Sequence, residues 1–302
     1  MYCIHGPPLA DRPPAQRSIA VARIPADVAC TAFVLGGGGV LGAAEAGMAK
    51  ALLEAGIAPD LVYGTSIGAI NGAAIAADPT PQGADRLIAT WDALASGDVL
   101  SGSLVERVGQ IVRSGTSLHD SDDMRELLRE HLPVRRFDEL VIRFECVAAS
   151  IEKAQEHWFT GGDLVEAVLA SCALPGIFPP VRIGDEHFVD GGLVNSIPLA
   201  RAVAAGADTV WVLHVGRIEE QLRVPRRPWE VGFVSFEIAR RHRFHADLAH
   251  VPEDVTVHVL PTGLPARSAA TWSNLRYRDP RRIADSARRA CAATRAYLAD
   301  LG

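Results

Sequence analysis

No two of the five cysteines form a C-x-x-C pair. Cys3, Cys30, Cys146, Cys172 and Cys291 are scattered along the chain. Their odd number leaves at least one unpaired, a pattern that suits a reducing compartment and excludes a disulfide scaffold. Long apolar runs are also missing. Nothing approaches the roughly 18 residues of a spanning helix, and the opening MYCIHGPPLADRPPAQ lacks the charged start and apolar stretch of a signal peptide. A cytoplasmic protein without a signal peptide is expected. There is no repeat period, no H-E-x-x-H and no calcium loop, so no metal is expected.

What is present is a soluble globular composition: 302 residues, 48% hydrophobic and 22% charged, enough for a large core. The net charge of -6 divides unevenly. Residues 201–302 carry 16 Arg against 11 acidic residues, a net of +5, which leaves -11 for residues 1–200. The basic clusters are Arg240, Arg241 and Arg243, and Arg276, Arg278, Arg281 and Arg282, interleaved with His242, Phe244, His245 and Tyr277. Such runs attract phosphate or anionic headgroups, but Asp279 and Asp285 interrupt them. A solvated, locally ion-paired helix face is the favoured reading, and nucleic acid is not an expected partner.

Residues 1–28, rich in Pro, Arg and Ala, read as a loose leader before a folded unit over 29–302. The spacing predicts a strand over 32–35, a glycine turn and an Ala/Leu helix stopped at Gly56. A strand over 60–63, a tight turn over 64–68 and a small-residue helix over 67–77 follow. Two or three helical stretches are expected over 84–131, then strands over 144–150 and 156–159, and a helix over 164–171. A hairpin over 181–189, a helix over 198–205 and a buried parallel strand over 209–215 complete the series. Strands alternating with helices imply a three-layer α/β/α fold with a mainly parallel central sheet, and the last third adds helices around it.

Two turns carry the chemistry. Gly64-Thr65-Ser66-Ile67-Gly68 is a G-x-S-x-G sequence between a strand and a helix, the setting in which a serine is thrust out of a sheet. The helix behind it brings its positive end and the Ile67 N–H to a developing oxyanion. Gly36-Gly37-Gly38-Gly39-Val40-Leu41-Gly42 also follows a strand. Gly37-x-Gly39-x-x-Gly42 fits a dinucleotide fingerprint, but the acidic residue such a site wants at the end of the next strand is replaced by Tyr63-Gly64-Thr65-Ser66. The same N–H donors serve equally as an oxyanion hole. A serine needs a base, and in the usual Ser-Asp-His order His214 or His258 would supply it. Only about one strand precedes Ser66, which disfavours that layout.

The glycine string, the serine turn, Ser171-Cys172-Ala173-Leu174-Pro175-Gly176-Ile177-Phe178-Pro179-Pro180, and His187-Phe188-Val189-Asp190-Gly191-Gly192-Leu193-Val194-Asn195 occur in this order. Together, over about residues 31–200, they resemble the patatin-like phospholipase family. The resemblance implies Ser66 as nucleophile, Asp190 as its partner in a Ser-Asp dyad, and N–H groups around Gly37, Gly38 and Gly39 as the oxyanion hole. Gly42, Gly64, Gly68, Gly191 and Gly192 support the backbone. One departure stands out: Leu41 occupies the place where the family commonly has Arg or Lys, so a side-chain cation near the site is expected to be lost.

The resulting expectation is a cofactor-free hydrolase of lipid carboxylic esters. An acyltransferase on the same nucleophile and a non-catalytic lipid- or nucleotide-binding module are the rivals. His242 and His245, spaced i,i+3, read as surface histidines in preference to metal ligands. Trp91, Trp158, Trp211, Trp229 and Trp272 are expected in the core or at its rim. Phe233, Phe236 and Phe244 fit either core packing, which is favoured, or an amphipathic element touching the inner membrane face.

Overall fold

A computed structural model describes residues 29–96, 122–175, 178–215, 221–222, 224–263 and 280–301. The leader, Cys3, Gly176, Ile177, Trp272, Arg276, Tyr277 and Arg278 lie outside the described residues, as do the side chains of Trp229, Phe233, Arg281 and Arg282.

The strands are β1 (Thr31–Leu35), β2 (Leu61–Thr65), β3 (Arg143–Ser150), β4 (Gln155–Phe159), β5 (Val181–Ile183), β6 (Glu186–Asp190), β7 (Thr209–Leu213) and β8 (Thr256–Val259). The helices are α1 (Ala43–Glu54), α2 (Ile67–Ala77), α3 (Pro81–Ser96), α4 (Asp122–His131), α5 (Leu164–Ser171), α6 (Leu199–Ala204), α7 (Pro228–Ala249) and α8 (Pro280–Leu301). Strands β3, β2, β1, β7 and β8 are neighbours in that order and all parallel, while β4, β5 and β6 pair antiparallel. The sheet is thus parallel at its centre and mixed at one edge.

Alternation along the strands divides the core in two, because successive side chains of a strand leave opposite faces. Phe33, Leu35, Val62, Trp211 and Leu213 join the larger cluster with α1, α2, α3, α5 and α8. Ala32, Val34, Leu61, Tyr63, Val210 and Val212 face α6 and Phe244 of α7. This is the expected three-layer arrangement. Two predicted helices match closely: α2, and α5, whose Asp163 cap accepts from the Glu166 N–H. Cys30, Cys146, Cys172 and Cys291 are buried free thiols. The last third supplies the expected buried parallel strand as β7 and adds β8, which was not expected, while α8 packs so close to α1 that a Cβ on Gly47 would lie 2.0 Å from the Ala287 carbonyl.

Register at β3 decides where the site forms. Val147 pairs with Thr65 at the end of β2, and the next residue, Ala148, pairs with Asp190 at the end of β6. Strand β4 occupies the other edge of β3 along this stretch. The ends of β2 and β6 therefore meet on one edge, and two residues 124 positions apart become neighbours.

Candidate active site

Ser66 closes β2 and opens α2 with φ 55° and ψ -124°. Positive φ is costly for a residue with a side chain, about 1–3 kcal/mol, and among the described residues only Ala154 shares it outside glycine. The bend survives because its neighbours are braced on every side. A Cβ on Gly64 would come within 2.5 Å of the Gly68 carbonyl, and one on Gly68 within 2.4 Å of the Leu35 carbonyl, so strand and helix can close together only on glycine. The Ser66 N–H donates to Ser171 Oγ at 2.9 Å, and the Ser171 hydroxyl donates to the Val147 carbonyl at 2.7 Å. The Cys172 thiol donates to the Ser66 carbonyl at 3.1 Å, and the Thr65 hydroxyl to the Asn195 carbonyl at 2.8 Å. Ser171 and Cys172 stood in the recognised motif, but neither had an assigned role. A bracing role leaves no local sequence signature.

The Ser66 hydroxyl donates to Asp190 Oδ2 at 2.6 Å, and the Gly192 N–H donates to Oδ1 at 2.7 Å. Burial pushes the Asp190 carboxyl up to about 6, against the pull of Ser66, Gly192 and the Arg240 charge. At neutral pH it is thus mostly ionised, yet a far better base than a free aspartate. Gly191 permits this approach, since a Cβ there would sit 2.1 Å from the Val147 carbonyl.

Neither histidine considered as base touches Ser66. His214 is buried with Nδ1 unpartnered, and burial together with the Arg240 and Arg241 charges holds it down to about 3. His258 stacks on Trp211 with ring centroids 4.1 Å apart, and its Nδ1 lies 3.1 Å from the Tyr297 hydroxyl, out on β8. His242 and His245 are exposed, and among the described residues no three His, Cys, Asp or Glu side chains cluster as metal ligands.

The glycine string packs against the serine turn, and a Cβ on Gly37 would touch Ser66 Cβ at 3.4 Å. Its donor set is narrower than expected. The Gly36 N–H donates to the Leu213 carbonyl of β7, extending that pairing by one residue, and the Gly37 N–H donates to the Ser196 carbonyl in the loop before α6, each at 3.0 Å. Gly37 is therefore corrected as an N–H donor to substrate, and Gly38, Gly39 and Ile67 remain. Behind the string, Asn71 donates to the Gly42 carbonyl at 2.9 Å and accepts from Trp91 at 3.0 Å.

Two expectations about charge are also corrected. Leu41 packs on the core as an apolar residue, yet a cation does stand at the loop: Arg240 of α7, 8% exposed, donates through Nη1 to the Gly37 carbonyl at 3.0 Å. The run containing it is no uniformly solvated face. Arg240 is buried, whereas Arg243 pairs with Glu156 and Asp247 at the surface. The local ion pairing expected of the run is present, with Arg240 and Arg241 both beside Glu237. Of the phenylalanines, Phe244 is core and Phe236 half-buried against Gly192.

The chain is similar in sequence to known proteins. Over 188 residues, 62% of this chain and 12% of the relative, the chain is 29% identical to "Lysophospholipase nte1" of Aspergillus terreus. Over 190 residues, 62% of this chain and 14% of the relative, it is 31% identical to "Patatin-like phospholipase domain-containing protein ZK370.4" of Caenorhabditis elegans. The match thus spans about an eighth of the length of these curated relatives. The solved structure of VipD from Legionella pneumophila aligns with a TM-score of 0.48 at 15% identity, over 90% of this chain and 67% of that one. The patatin-like phospholipase family model matches residues 33–203, more than half of the chain, and that stretch holds the glycine string, the serine turn and Asp190 in the arrangement described above; the chain belongs to the patatin-like phospholipase family.

Proposed function

We propose that the chain is a lipid acyl hydrolase that cleaves carboxylic esters through Ser66 and Asp190. The observation that carries this reading is the 2.6 Å bond from the Ser66 hydroxyl to a buried carboxylate, made at a strained strand-to-helix bend. As Ser66 Oγ attacks the acyl carbonyl carbon, its proton passes to Asp190 Oδ2 and the carbonyl oxygen takes the negative charge. The N–H groups of Gly38, Gly39 and Ile67 meet that charge, helped by the positive end of α2. Asp190 then protonates the leaving alcohol. In the second half, water gives a proton to Asp190 as its oxygen attacks the acyl-serine carbon, and Asp190 returns that proton to Ser66 Oγ as the acyl–serine bond breaks, which releases the carboxylic acid and restores the Ser66 hydroxyl.

The Gly192 N–H on Oδ1 keeps Asp190 oriented through both halves. Neither the geometry nor the chemistry calls on a metal or organic cofactor. A lipid substrate suits the family and Leu193, an apolar side chain exposed three positions beyond Asp190. This side chain would meet an acyl chain at a lipid surface. No described helix is long and apolar enough to cross a membrane. The test is fluorophosphonate labelling and ester turnover of wild type against Ser66→Ala. Labelling and turnover confined to wild type support the reading, and equal turnover by both would sink it.

A further inference from the structure

Arg240 has no place in the dyad chemistry, yet among the described residues it is the one buried Arg or Lys, and its contacts converge on the glycine loop. Nη1 donates to the Gly37 carbonyl at 3.0 Å and to Ser196 Oγ at 3.3 Å. The Nε lies 3.1 Å from Glu237 Oε1, close enough for attraction but without the alignment a hydrogen bond needs. Ser196 also takes the Gly37 N–H on its main-chain carbonyl at 3.0 Å. Both peptide units flanking Gly37 are therefore pinned by two residues. Beyond them Val215 closes the remaining side, where a Cβ on Gly38 would lie 1.9 Å from Val215 Cγ2.

The carbonyl of Gly37 and the N–H of Gly38 belong to one planar trans unit, so they point in opposite directions. A guanidinium fixed on the carbonyl fixes the direction of the N–H and polarises the amide, which makes that N–H a better donor. We propose that Arg240 is a positioning residue: it holds the Gly37–Gly38 peptide so that the Gly38 N–H receives the oxyanion formed at Ser66. This rests on the acyl-hydrolase reading and goes beyond it, because it draws a residue outside the family-matched stretch into the reaction. Being buried behind the loop, Arg240 acts through the peptide and does not touch substrate. Its positive charge also bears on Asp190 and on His214, the titratable groups that face it from the site side among the described residues. Glu237 and Arg241 face it from α7 itself.

The experiment compares full-length wild type, Arg240→Gln and Arg240→Lys, with a p-nitrophenyl acyl ester and a fluorophosphonate as probes and thermal unfolding run alongside. The proposal expects Arg240→Gln to lose about 30-fold or more in kcat with KM within about threefold, since a misaimed oxyanion donor acts on the transition state alone. The acidic limb of kcat/KM should move upward in pH as Asp190 loses a nearby cation. Arg240→Lys, which keeps the charge without the guanidinium fork, should fall between the two. A folded Arg240→Gln with wild-type kcat and an unmoved acidic limb overturns the proposal. If Arg240→Gln does not fold, Arg240→Lys decides: about tenfold lower kcat at unchanged KM supports the proposal, and wild-type kcat overturns it. Wild type that neither turns over ester nor labels at Ser66 removes the hydrolase reading and this inference together. Reactive wild type beside an unaffected Arg240→Gln removes this inference alone.

Discussion

The two sides of the reacting centre are held by different parts of the chain. Among the described residues, the groups hydrogen-bonded to Ser66 and Asp190 lie within the family-matched stretch: Ser171, Cys172 and Gly192, with Val147 behind Ser171. The glycine loop is braced partly from outside it, by Val215 and by Arg240, the latter 203 residues from the carbonyl it holds. A base has to sit within hydrogen-bond reach of its nucleophile in every working copy of the site. An N–H donor of the backbone, by contrast, can be steadied by any group that holds the far end of its peptide. The comparison thus separates a side whose geometry follows from its motifs from a side whose stiffness is supplied by the fold.

The largest effect belongs to the dyad. Ser66→Ala should abolish fluorophosphonate labelling and lower kcat about 10⁴-fold or more, with the fold retained although the buried Asp190 Oδ2 loses its hydrogen-bond partner. Asp190→Asn comes next: an amide cannot take the proton, and turnover should fall about 10³-fold while circular dichroism stays native. Near-normal turnover in that variant would break the comparison, since the base would then lie elsewhere.

The pH profile sharpens the same side. Only ionised Asp190 can accept the proton, so kcat/KM should be half-maximal near pH 6 and drop about tenfold for each unit below it. Stability carries the opposite sign. A carboxyl raised in the folded protein contributes stability that is fully present below its unfolded value, near 3.8, and lost as pH rises through about 6. The contribution of this group to unfolding should therefore grow where activity fades, and Asp190→Asn should flatten that dependence.

Smaller effects follow. Ser171→Ala leaves the Ser66 N–H without its partner and takes one donor from the Val147 carbonyl, and should cost about 1–3 kcal/mol in denaturant unfolding and about tenfold in kcat. A raised KM with kcat unchanged would show that the brace serves substrate binding instead. At the bottom, His258→Phe keeps the stack on Trp211 and should leave kcat within about twofold, as a side chain on β8 away from the dyad.

Much of this was legible before any coordinates. Ile67–Ala77 and Leu164–Ser171 are bounded by residues whose local chemistry starts or stops a helix, so their limits could be read directly. The serine turn was legible for the same reason, since Gly64 and Gly68 mark a backbone that tolerates no side chain. Asp190 was reached through resemblance to a family, not through spacing, because nothing in a strand end reveals which strand it will abut. Arg240 was misread: in a run of three arginines, hydration of a helix face is the local expectation, and only packing tells which arginine turns inward. One of the four expected N–H donors of the oxyanion set failed similarly, as the Gly37 N–H is taken by the Ser196 carbonyl.

By itself the sequence determined the bends, the helix limits and the alternation that makes a three-layer sheet, because these depend on interactions among residues within a few positions of one another. Tertiary structure alone decided that β2 and β6 end on the same edge of β3, that the aspartate is buried enough to become a useful base, and that a distant arginine grips the glycine loop. Desolvation and long-range contact exist only once the chain has closed on itself, and no local pattern of residues encodes them.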